Sequence, residues 1–586
     1  MTAAKRLFAS TLLFVLAATL SGFGQNPYLV NKNGVDVDLA SEGRMAADDT
    51  LGGGDLITLD QFTPVQNVVT GHAVQFRGGN TQVNDITLDN EQIFPGFRPF
   101  EERTQSETTI AHFGNNIVVS YNSAANQPLI ALNPTTLTFT QRFLSGFSTS
   151  NDGGKTWTSG FVPPVPGSPF TFGDGVVVAD RAGNFYYAGL GTDSALASTV
   201  QVNKSTDGGR TWGPAVVVQQ DDASDKEWIA VGPDRANPGK DAVYVTWTSF
   251  QASGAQLRFG KSTDGGATFT SKTIFAPTPN PDPTQPQNSL QFSTPVVDSD
   301  GTLYISFGQF SNSDSDFLRI LKSTDGGETF AFVNFNIPGA LLPDAVSFVQ
   351  SGELIDCGNN GGFRLAIHDG AAAAGRFGLR TFIQASRLVT QAALGAQDGV
   401  LYLAWSGSTS PFFGDPAGSS VIRFMKSTDA GATWSTAIQA SPANADIQNV
   451  LPSLAIDKHT KDVHIVYYAQ HTDGTVDLDM ANSRDGGATF PANRTVHVSS
   501  MATVLAPTNI PLGSVANTTN YDRTIRPCYN LGEYVGADSI GSANGTVFAA
   551  WGDGRNQFTE PINALDPISG QTHPQQDVFF QSVKAH

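Results

Sequence analysis

The chain has 586 residues, of which 40% are hydrophobic and only 15% are charged, and its formal net charge is −19. This acidic balance excludes a broad phosphate-binding surface, because nucleic-acid affinity depends on clustered Lys and Arg. Plentiful Gly (60) and Pro (32), together with 10% aromatic residues, are typical of an all-β protein with many turns.

The N-terminal segment is predicted to be a secretory signal peptide over residues 1–24. A basic pair, Lys5 and Arg6, precedes an apolar stretch that ends at Leu20, and small residues follow it. The stretch is too short for a membrane anchor, and no later segment reaches about 20 uninterrupted apolar residues. We therefore expect a secreted, periplasmic or extracellular protein without a membrane span, in which residues 25–54 form a flexible lead-in.

One octapeptide recurs six times further along the chain, with the form Ser-x-Asp-Gly-Gly-x-Thr followed by an aromatic residue. Ser and Asp side chains bond nearby backbone N–H groups in such turns, and the paired glycines permit a positive φ. A repeat of this kind predicts one supersecondary unit for each copy. The copies are SNDGGKTW from Ser150, STDGGRTW from Ser205, STDGGATF from Ser262, STDGGETF from Ser323, STDAGATW from Ser427 and SRDGGATF from Ser483.

These octapeptides match the Asp-box motif, and the chain from about residue 105 onward resembles the sialidase-like β-propellers, close to secreted sialidase-like proteins of undefined activity. The resemblance implies an all-β propeller of four-stranded blades, with the boxes on the face away from the substrate. The closing aromatic residues are expected to wedge between blades, where each buries a large apolar surface. They are Trp157, Trp212, Phe269, Phe330, Trp434 and Phe490.

The repeats predict about seven blades. Two alternating strands precede each box, and a seventh pair from Gly532 has no box after it. The step from Asp325 to Asp429 is nearly twice the others, so six or eight blades remain alternatives. We expect the third strand of the last blade at DVFFQSV, and its outer strand from within residues 55–92, which would close the ring and hide its edges.

The predicted propeller spans residues 55–586 and carries long insertions near 335–387 and 500–530. Both lead from the outer strand of one blade to the inner strand of the next, so we expect them over one mouth of the central channel. Each insertion holds one of the two cysteines, Cys357 and Cys528. We hypothesise that Cys357 and Cys528 form a disulfide across the mouth, as an oxidising compartment would permit.

Acidic residues begin several inner strands, and the repeat places Glu107, Asp174, Glu227 and Glu533 at matching positions that would converge toward the axis. Converging carboxylates repel one another, which raises some pKa values enough for general acid catalysis. Alternatively they collect a cation such as Ca²⁺, or they only bond backbone amides at the strand starts. Glu227 and Asp174 are therefore candidate catalytic residues.

Arginines gather in the connecting segments, although the chain as a whole is acidic. Guanidinium groups pair with carboxylates through two hydrogen bonds, so arginines from separate blades could grip an anionic sugar; solvated surface arginines are the alternative. The arginines in these segments are Arg98, Arg103, Arg364, Arg376, Arg380, Arg387, Arg523 and Arg526. Arg98, Arg103, Arg387 and Arg526 are the candidate substrate-binding residues.

The sialidase resemblance implies three arginines around a substrate carboxylate, the first in a Phe/Tyr-Arg-Ile-Pro motif that Phe97-Arg98-Pro99 matches in part. Arg387 and Arg526 would complete this set. By the same resemblance Tyr529 or Tyr534 would be the nucleophile and Glu533 its base. The acid/base aspartate expected in the first blade is missing, because no Asp lies between Arg103 and Asp152.

The sequence therefore predicts a secreted exo-glycosidase of the sialidase type that acts on terminal or anionic sugars of glycans. A non-catalytic propeller that binds a glycan or a protein is one alternative, which the missing aspartate favours. An acidic-polysaccharide lyase, in which Tyr or His removes a proton beside a uronate, is another. We expect a monomer with no nucleic-acid partner and with no cofactor other than the Ca²⁺ alternative.

Overall fold

The computed structural model describes most of the propeller. The described residues are 29–32, 35–38, 79–85, 105–123, 131–133, 138–251, 254–278, 289–310, 316–336, 346–348, 353–356, 363–366, 391–409, 419–442, 444, 447–471, 475–504, 535–540, 545–559 and 572–585. Within them the regular secondary structure is β-strand, apart from one short 3₁₀ helix at Ala492–Arg494. No helix in this part is long and apolar enough to cross a membrane.

Seven antiparallel sheets form the blades, numbered here in chain order, and each is given from its inner to its outer strand. Blade 1 comprises Gln105–Phe113, Asn116–Ser123, Ser145–Ser150 and Thr158–Phe161. Blade 2 comprises Phe170–Ala179, Phe185–Thr192, Ser198–Ser205 and Val216–Gln220. Blade 3 comprises Ser224–Asp234, Asn237–Gln251, Gly254–Ser262 and Thr270–Phe275. Blade 4 comprises Ser289–Val297, Leu303–Phe310, Asp316–Ser323 and Ala331–Phe332.

The remaining blades follow the same order. Blade 5 comprises Ala393–Gln397, Val400–Ser408, Ser420–Ser427 and Ile438–Gln439. Blade 6 comprises Ile447–Ile456, Val463–His471, Thr475–Ser483 and Val496–His497. Blade 7 comprises Gly536–Ile540, Thr546–Thr559, Thr572–Lys584 and, as its outer strand, Thr81–Gln82.

This closing strand joins the two ends of the chain, because Thr81 pairs with Phe580 and Gln82 with Phe579. The predicted all-β propeller of seven four-stranded blades, closed by an N-terminal strand, is thus confirmed. Polar side chains fix the closing segment: the Asn84 amide donates to Asp577 at 2.7 Å, and the Asn80 amide donates to the Val498 carbonyl at 2.9 Å.

Short additional strands extend some blades. Val346–Phe348 pairs with the third strand of blade 4, and Thr503–Val504 with the third strand of blade 6. The hairpin Ala131–Asn133 and Thr138–Phe143 joins the inner strand of blade 2 in parallel. Two further hairpins stand apart from the blades, at Leu29–Lys32 with Val35–Asp38 and at Glu353–Asp356 with Phe363–Ala366. The first of them lies in the predicted lead-in, and the second in the first insertion.

The Asp-box turns have the contacts that their residue types predict. In the third box the Ser262 hydroxyl donates to Asp264 at 2.7 Å and accepts the Gly266 N–H at 2.9 Å. The Thr268 hydroxyl donates to the other Asp264 oxygen at 2.6 Å. The bonds from Thr268 and Ser262 lower the pKa of the Asp264 carboxyl to about 2, so this side chain is fixed as an ionised turn cap.

The box aromatics pack between neighbouring blades, as expected. Trp157 of blade 1 lies 4.9 Å from Phe580 of blade 7, measured between ring centroids. Phe490 of blade 6 meets the Phe424 ring of blade 5 edge-on at 5.0 Å. These contacts bury apolar surface at each joint, and thereby fix the rotation of one blade relative to the next.

Candidate functional site

The seven inner strands surround a central channel with a volume of about 440 Å³, and every blade contributes to its wall. We call the end at which the inner strands begin the start face. The Asp-boxes lie at the opposite end, which we call the box face. There the box backbone bonds the turn between the inner and second strands: the Gly153 N–H donates to Asn115, and the Ala430 N–H to Gly399.

The start face carries one backbone feature in five described blades: a β-bulge in the inner strand, with a non-glycine residue at positive φ. Bulges redirect side chains, and each left-handed L-residue costs roughly 1–2 kcal/mol. Strain of this kind persists where the surrounding structure enforces it, often at functional sites. The bulged residues are Glu107 (54°), Asp174 (56°), Lys226 (51°), Phe292 (60°) and Leu451 (55°).

The bulge corrects one expectation from the sequence. Glu107 and Asp174 do occupy matching positions, but in blade 3 that position belongs to Lys226, and Glu227 is the next residue. All three blades have the bulge at the same place, so the difference arises because matching the strands by their acidic residues put Glu227 one position out. Glu227 therefore reaches the same region from a different backbone position.

Lys226 joins the carboxylates of the two preceding blades. Its ammonium nitrogen lies 3.2 Å from Glu107 Oε2 and 3.5 Å from Asp174 Oδ2, and all three side chains are buried. The Asn122 amide lies between the same two carboxylates and donates to Glu107 at 3.4 Å and to Asp174 at 3.3 Å. Because the ion pairs are desolvated, each partner is needed to keep the others charged.

Glu227 is the unusual member of this cluster. Its side chain is 1% exposed, and neither carboxyl oxygen has a hydrogen-bond partner in another of the described residues. Burial raises the pKa of Glu227 well above its usual value, and the Asp174 carboxylate raises this pKa further. Both effects disfavour the ionised carboxylate, which makes Glu227 the candidate proton donor of the cluster.

Tyr187 borders the same carboxylates from the second strand of blade 2. Its hydroxyl donates to the Gly146 carbonyl at 3.3 Å. Burial raises the pKa of this hydroxyl well above its usual value, with smaller increases from Glu227 and Asp174. Tyr187 thus stays protonated, which makes it a poor base.

The channel wall begins directly beyond the cluster. Thr109, Val176 and Trp228 are its first lining residues in blades 1 to 3. On the other side of the ring the bulge positions hold Phe292 and Leu451, both buried and apolar. The bulge positions therefore carry charged side chains in blades 1 to 3 and apolar side chains in blades 4 and 6.

Most of the other predicted site residues lie outside the described residues. These are Glu533, Tyr529, Tyr534, Arg98, Arg103, Arg387, Arg526, Cys357 and Cys528. Their roles and the disulfide remain predictions. Within the described part of the chain, no group of three His, Cys, Asp or Glu side chains is arranged to hold a metal ion.

The sequence analysis missed a repeated contact at the box face. The lysine before the box serine reaches the box of the next blade: the Lys204 ammonium donates to the Gly265 carbonyl at 3.1 Å, Lys322 to Ala430 at 2.9 Å and Lys426 to Gly486 at 2.7 Å. In blade 3, Lys261 instead reaches the Glu328 carboxylate at 3.3 Å. The sequence does contain a pattern that indicates this contact, since a Lys precedes four of the six boxes.

Comparisons with known proteins give similarity of structure only. No protein-family pattern matches the chain, and no curated protein matches it. The similar solved structures include a Hadza microbial sialidase, with 14% identity over 91% of this chain and 98% of that chain and a TM-score of 0.36. An ulvan lyase of a polysaccharide lyase family has 10% identity over 71% of this chain and 90% of that chain, with a TM-score of 0.36.

A sialidase from Trypanosoma rangeli, in complex with the inhibitor DANA, has 12% identity and a TM-score of 0.32. The match covers 83% of this chain but only 56% of that chain. Similarity at this level assigns no substrate and no catalytic residue to the chain. The description of the fold rests on the strand pairing above, and any function must be argued from the start face.

Proposed function

We propose that the protein is a glycan-active propeller, an exo-glycosidase that cleaves terminal sugars at the start face with Glu227 as its proton donor. The observation that carries this proposal is a buried carboxyl, whose ionisation is disfavoured by burial, beside an ionic cluster of Glu107, Asp174 and Lys226. Glycoside hydrolysis typically pairs one carboxyl group that donates a proton with one that is ionised. The class of substrate comes from the Asp-box resemblance of the sequence.

In this mechanism the Glu227 proton passes to the glycosidic oxygen as the bond from that oxygen to the anomeric carbon breaks. The sugar then takes a hydroxyl from water, and the second proton of that water returns to the Glu227 carboxylate. The paired carboxylates of Glu107 and Asp174 supply the negative charge that stabilises an oxocarbenium-like transition state. The start face must open to admit the sugar, since Glu227 is 1% exposed.

A preference of the site for anionic sugars is a separate part of the proposal. The described cluster holds three carboxyl groups against one lysine, so it does not itself attract an acidic sugar. A sialic acid or uronate would depend on the predicted Arg98, Arg387 and Arg526. Without them a neutral terminal sugar fits the described cluster better.

Product analysis tests the proposal. The secreted form would be assayed with fluorogenic sialosides, with fluorogenic neutral glycosides and with uronate polymers. Released fluorophore supports hydrolysis. New ultraviolet absorbance from an unsaturated uronate would instead indicate a lyase, and saturable glycan binding without product would indicate a binding protein; either result contradicts the proposal.

The matched variants are Glu227→Gln, which keeps the shape but removes the proton donor, and Asp264→Asn, which alters a carboxyl in a box turn. We expect E227Q to lower kcat by about 100-fold or more, because general acid catalysis contributes on that scale. D264N should leave kcat near the wild-type value. Full activity in a folded E227Q protein would exclude Glu227 as the donor.

A further inference from the structure

Charged pairs connect the turns of neighbouring blades at the box face. Arg181 Nε lies 2.6 Å from Asp241 Oδ1 across the joint of blades 2 and 3. Arg235 Nη1 lies 2.8 Å from Asp300 Oδ2 across the next joint. Lys461 Nζ lies 2.5 Å from Asp398 Oδ2 between blades 5 and 6. Arginine and lysine side chains in general carry their charge at neutral pH.

The joint of blades 7 and 1 uses a histidine instead. His112, near the end of the inner strand of blade 1, places Nδ1 2.5 Å from Oδ2 of Asp538 on the inner strand of blade 7. The same oxygen accepts the His112 backbone N–H at 2.9 Å. Phe548 of blade 7 meets the imidazole edge-on at 5.4 Å. The two bonds and the ring contact fix His112 against blade 7, and it also lines the channel.

We propose that the joint of blades 7 and 1 is a pH-dependent clasp, which is tight while His112 carries a proton and loosens when that proton is lost. Blade 7 also holds the closing strand Thr81–Gln82, which lies at the outer edge of its sheet, whereas Asp538 lies on the inner strand. We expect no such dependence at the joints with Arg or Lys pairs.

The direction of the effect follows from the groups that face the imidazole. Burial lowers the pKa of His112, the Asp538 charge and hydrogen bond raise it, Lys458 lowers it, and the net pKa lies above the usual value. A group with a raised folded-state pKa contributes its full stability below its unfolded-state pKa. That contribution disappears as the pH rises through the folded-state value. Mild acid should therefore tighten the ring, and mild alkali should loosen it.

The test compares the midpoint of thermal unfolding at about pH 5.5 and about pH 8.5 for the wild type and His112→Gln. We expect H112Q to lower the midpoint at the acidic pH and to have less than half that effect at the alkaline pH. Asp538→Asn should show the same dependence, because it removes the other partner. Arg235→Gln is the matched control at another joint, and its effect should be equal at both values.

Hydrogen exchange gives a second readout that does not require the variants to fold. In the wild type, the amides of residues 109–112 and 536–539 should exchange faster at alkaline pH, after correction for the intrinsic rate. Amides beside Arg235 should not change. An H112Q penalty that is equal at both pH values, or unchanged exchange at residues 109–112, would overturn the proposal. Neither result would bear on glycoside cleavage at the opposite face.

Discussion

The start face and the box face of the channel arise from the same repeat but differ in what is repeated. At the box face the side-chain contacts recur: Ser, Asp and Thr form the same turn, and a lysine reaches the next box in several blades. At the start face the backbone bulge recurs in five described blades, while the side chain at the bulge changes from blade to blade. Repeated side-chain contacts are suited to holding neighbouring blades together. A constant backbone that carries different side chains is suited to a binding or catalytic site.

Removing the lysine of the ion cluster should give the largest effect. In Lys226→Met the carboxylates of Glu107 and Asp174 lose their buried counter-ion, so we expect about 3–5 kcal/mol less free energy of unfolding. Chemical denaturation would measure this loss of free energy. Adding Glu107→Gln and Asp174→Asn to K226M should recover much of the loss. A loss below about 1 kcal/mol would mean that the cluster is not electrostatically coupled.

The neutral form of Glu227 should appear as a pH dependence of stability. Because the pKa of Glu227 is raised in the folded state, its contribution is complete below the unfolded-state pKa and is lost as the pH rises toward the folded value. The E227Q substitution removes this pH-dependent loss of stability. Above the unfolded-state pKa, the free energy of unfolding of E227Q relative to that of the wild type should therefore rise by up to about 1.4 kcal/mol per pH unit. Parallel stability curves for the two proteins would show that Glu227 is ionised when folded.

A smaller effect is expected from one lysine contact at the box face. Lys322→Met removes the bond to the Ala430 carbonyl and the contact of the ammonium with the Tyr304 ring. We expect a loss of about 1–2 kcal/mol in the free energy of unfolding. Lys240→Met, at an exposed position near the start of the second strand of blade 3, is the matched control and should change little. Equal effects of the two variants would show that the lysine contacts do not hold the blades together.

The smallest effect should come from the box that departs from the consensus. Ala430 has a φ of 57°, whereas Gly153 has 78° at the same position of the first box. Ala430→Gly should raise the free energy of unfolding by roughly 0.5 kcal/mol, because relief of strain exceeds the added entropy of the unfolded chain. The reverse change, Gly153→Ala, meets no atom within 4 Å and should cost about 1 kcal/mol through φ alone. Calorimetry would measure the change in the free energy of unfolding for both variants.

Features that are encoded by short repeated sequence motifs could be predicted from the sequence. The boxes, the seven blades and even the closing strand from within residues 55–92 were predicted, because turn chemistry and edge protection are written in short segments. The match of Lys226 with Glu107 was not, since acidic residues at the strand starts suggested Glu227 instead, and only the strand pairing shows which residue occupies that position. The pair of His112 and Asp538 joins residues 426 apart, which no local pattern connects.

The structure describes some of the residues predicted for the start face and leaves the others as predictions. Glu227 and Asp174 do lie in one buried cluster with Glu107, although Glu227 reaches it one residue later than expected. Its partner Lys226 was overlooked, because a lysine among carboxylates looks like an ordinary surface charge in a sequence. The arginine set, the tyrosine nucleophile and the disulfide depend on long connections whose length alone gives no position, and they remain predictions.

The closing strand has a consequence for how the protein is made. The Asn80 amide donates to the Gln581 side chain, a partner 501 residues away. During synthesis the segment that completes blade 7 emerges early, whereas the strands it pairs with emerge last. Blades 1 to 6 can stack on one another as they leave the ribosome, but the first segment stays without its sheet until translation is almost complete. A nascent chain of this protein therefore carries an unpaired strand through most of its synthesis, and the protection of that strand from other chains should matter as much as the final stability.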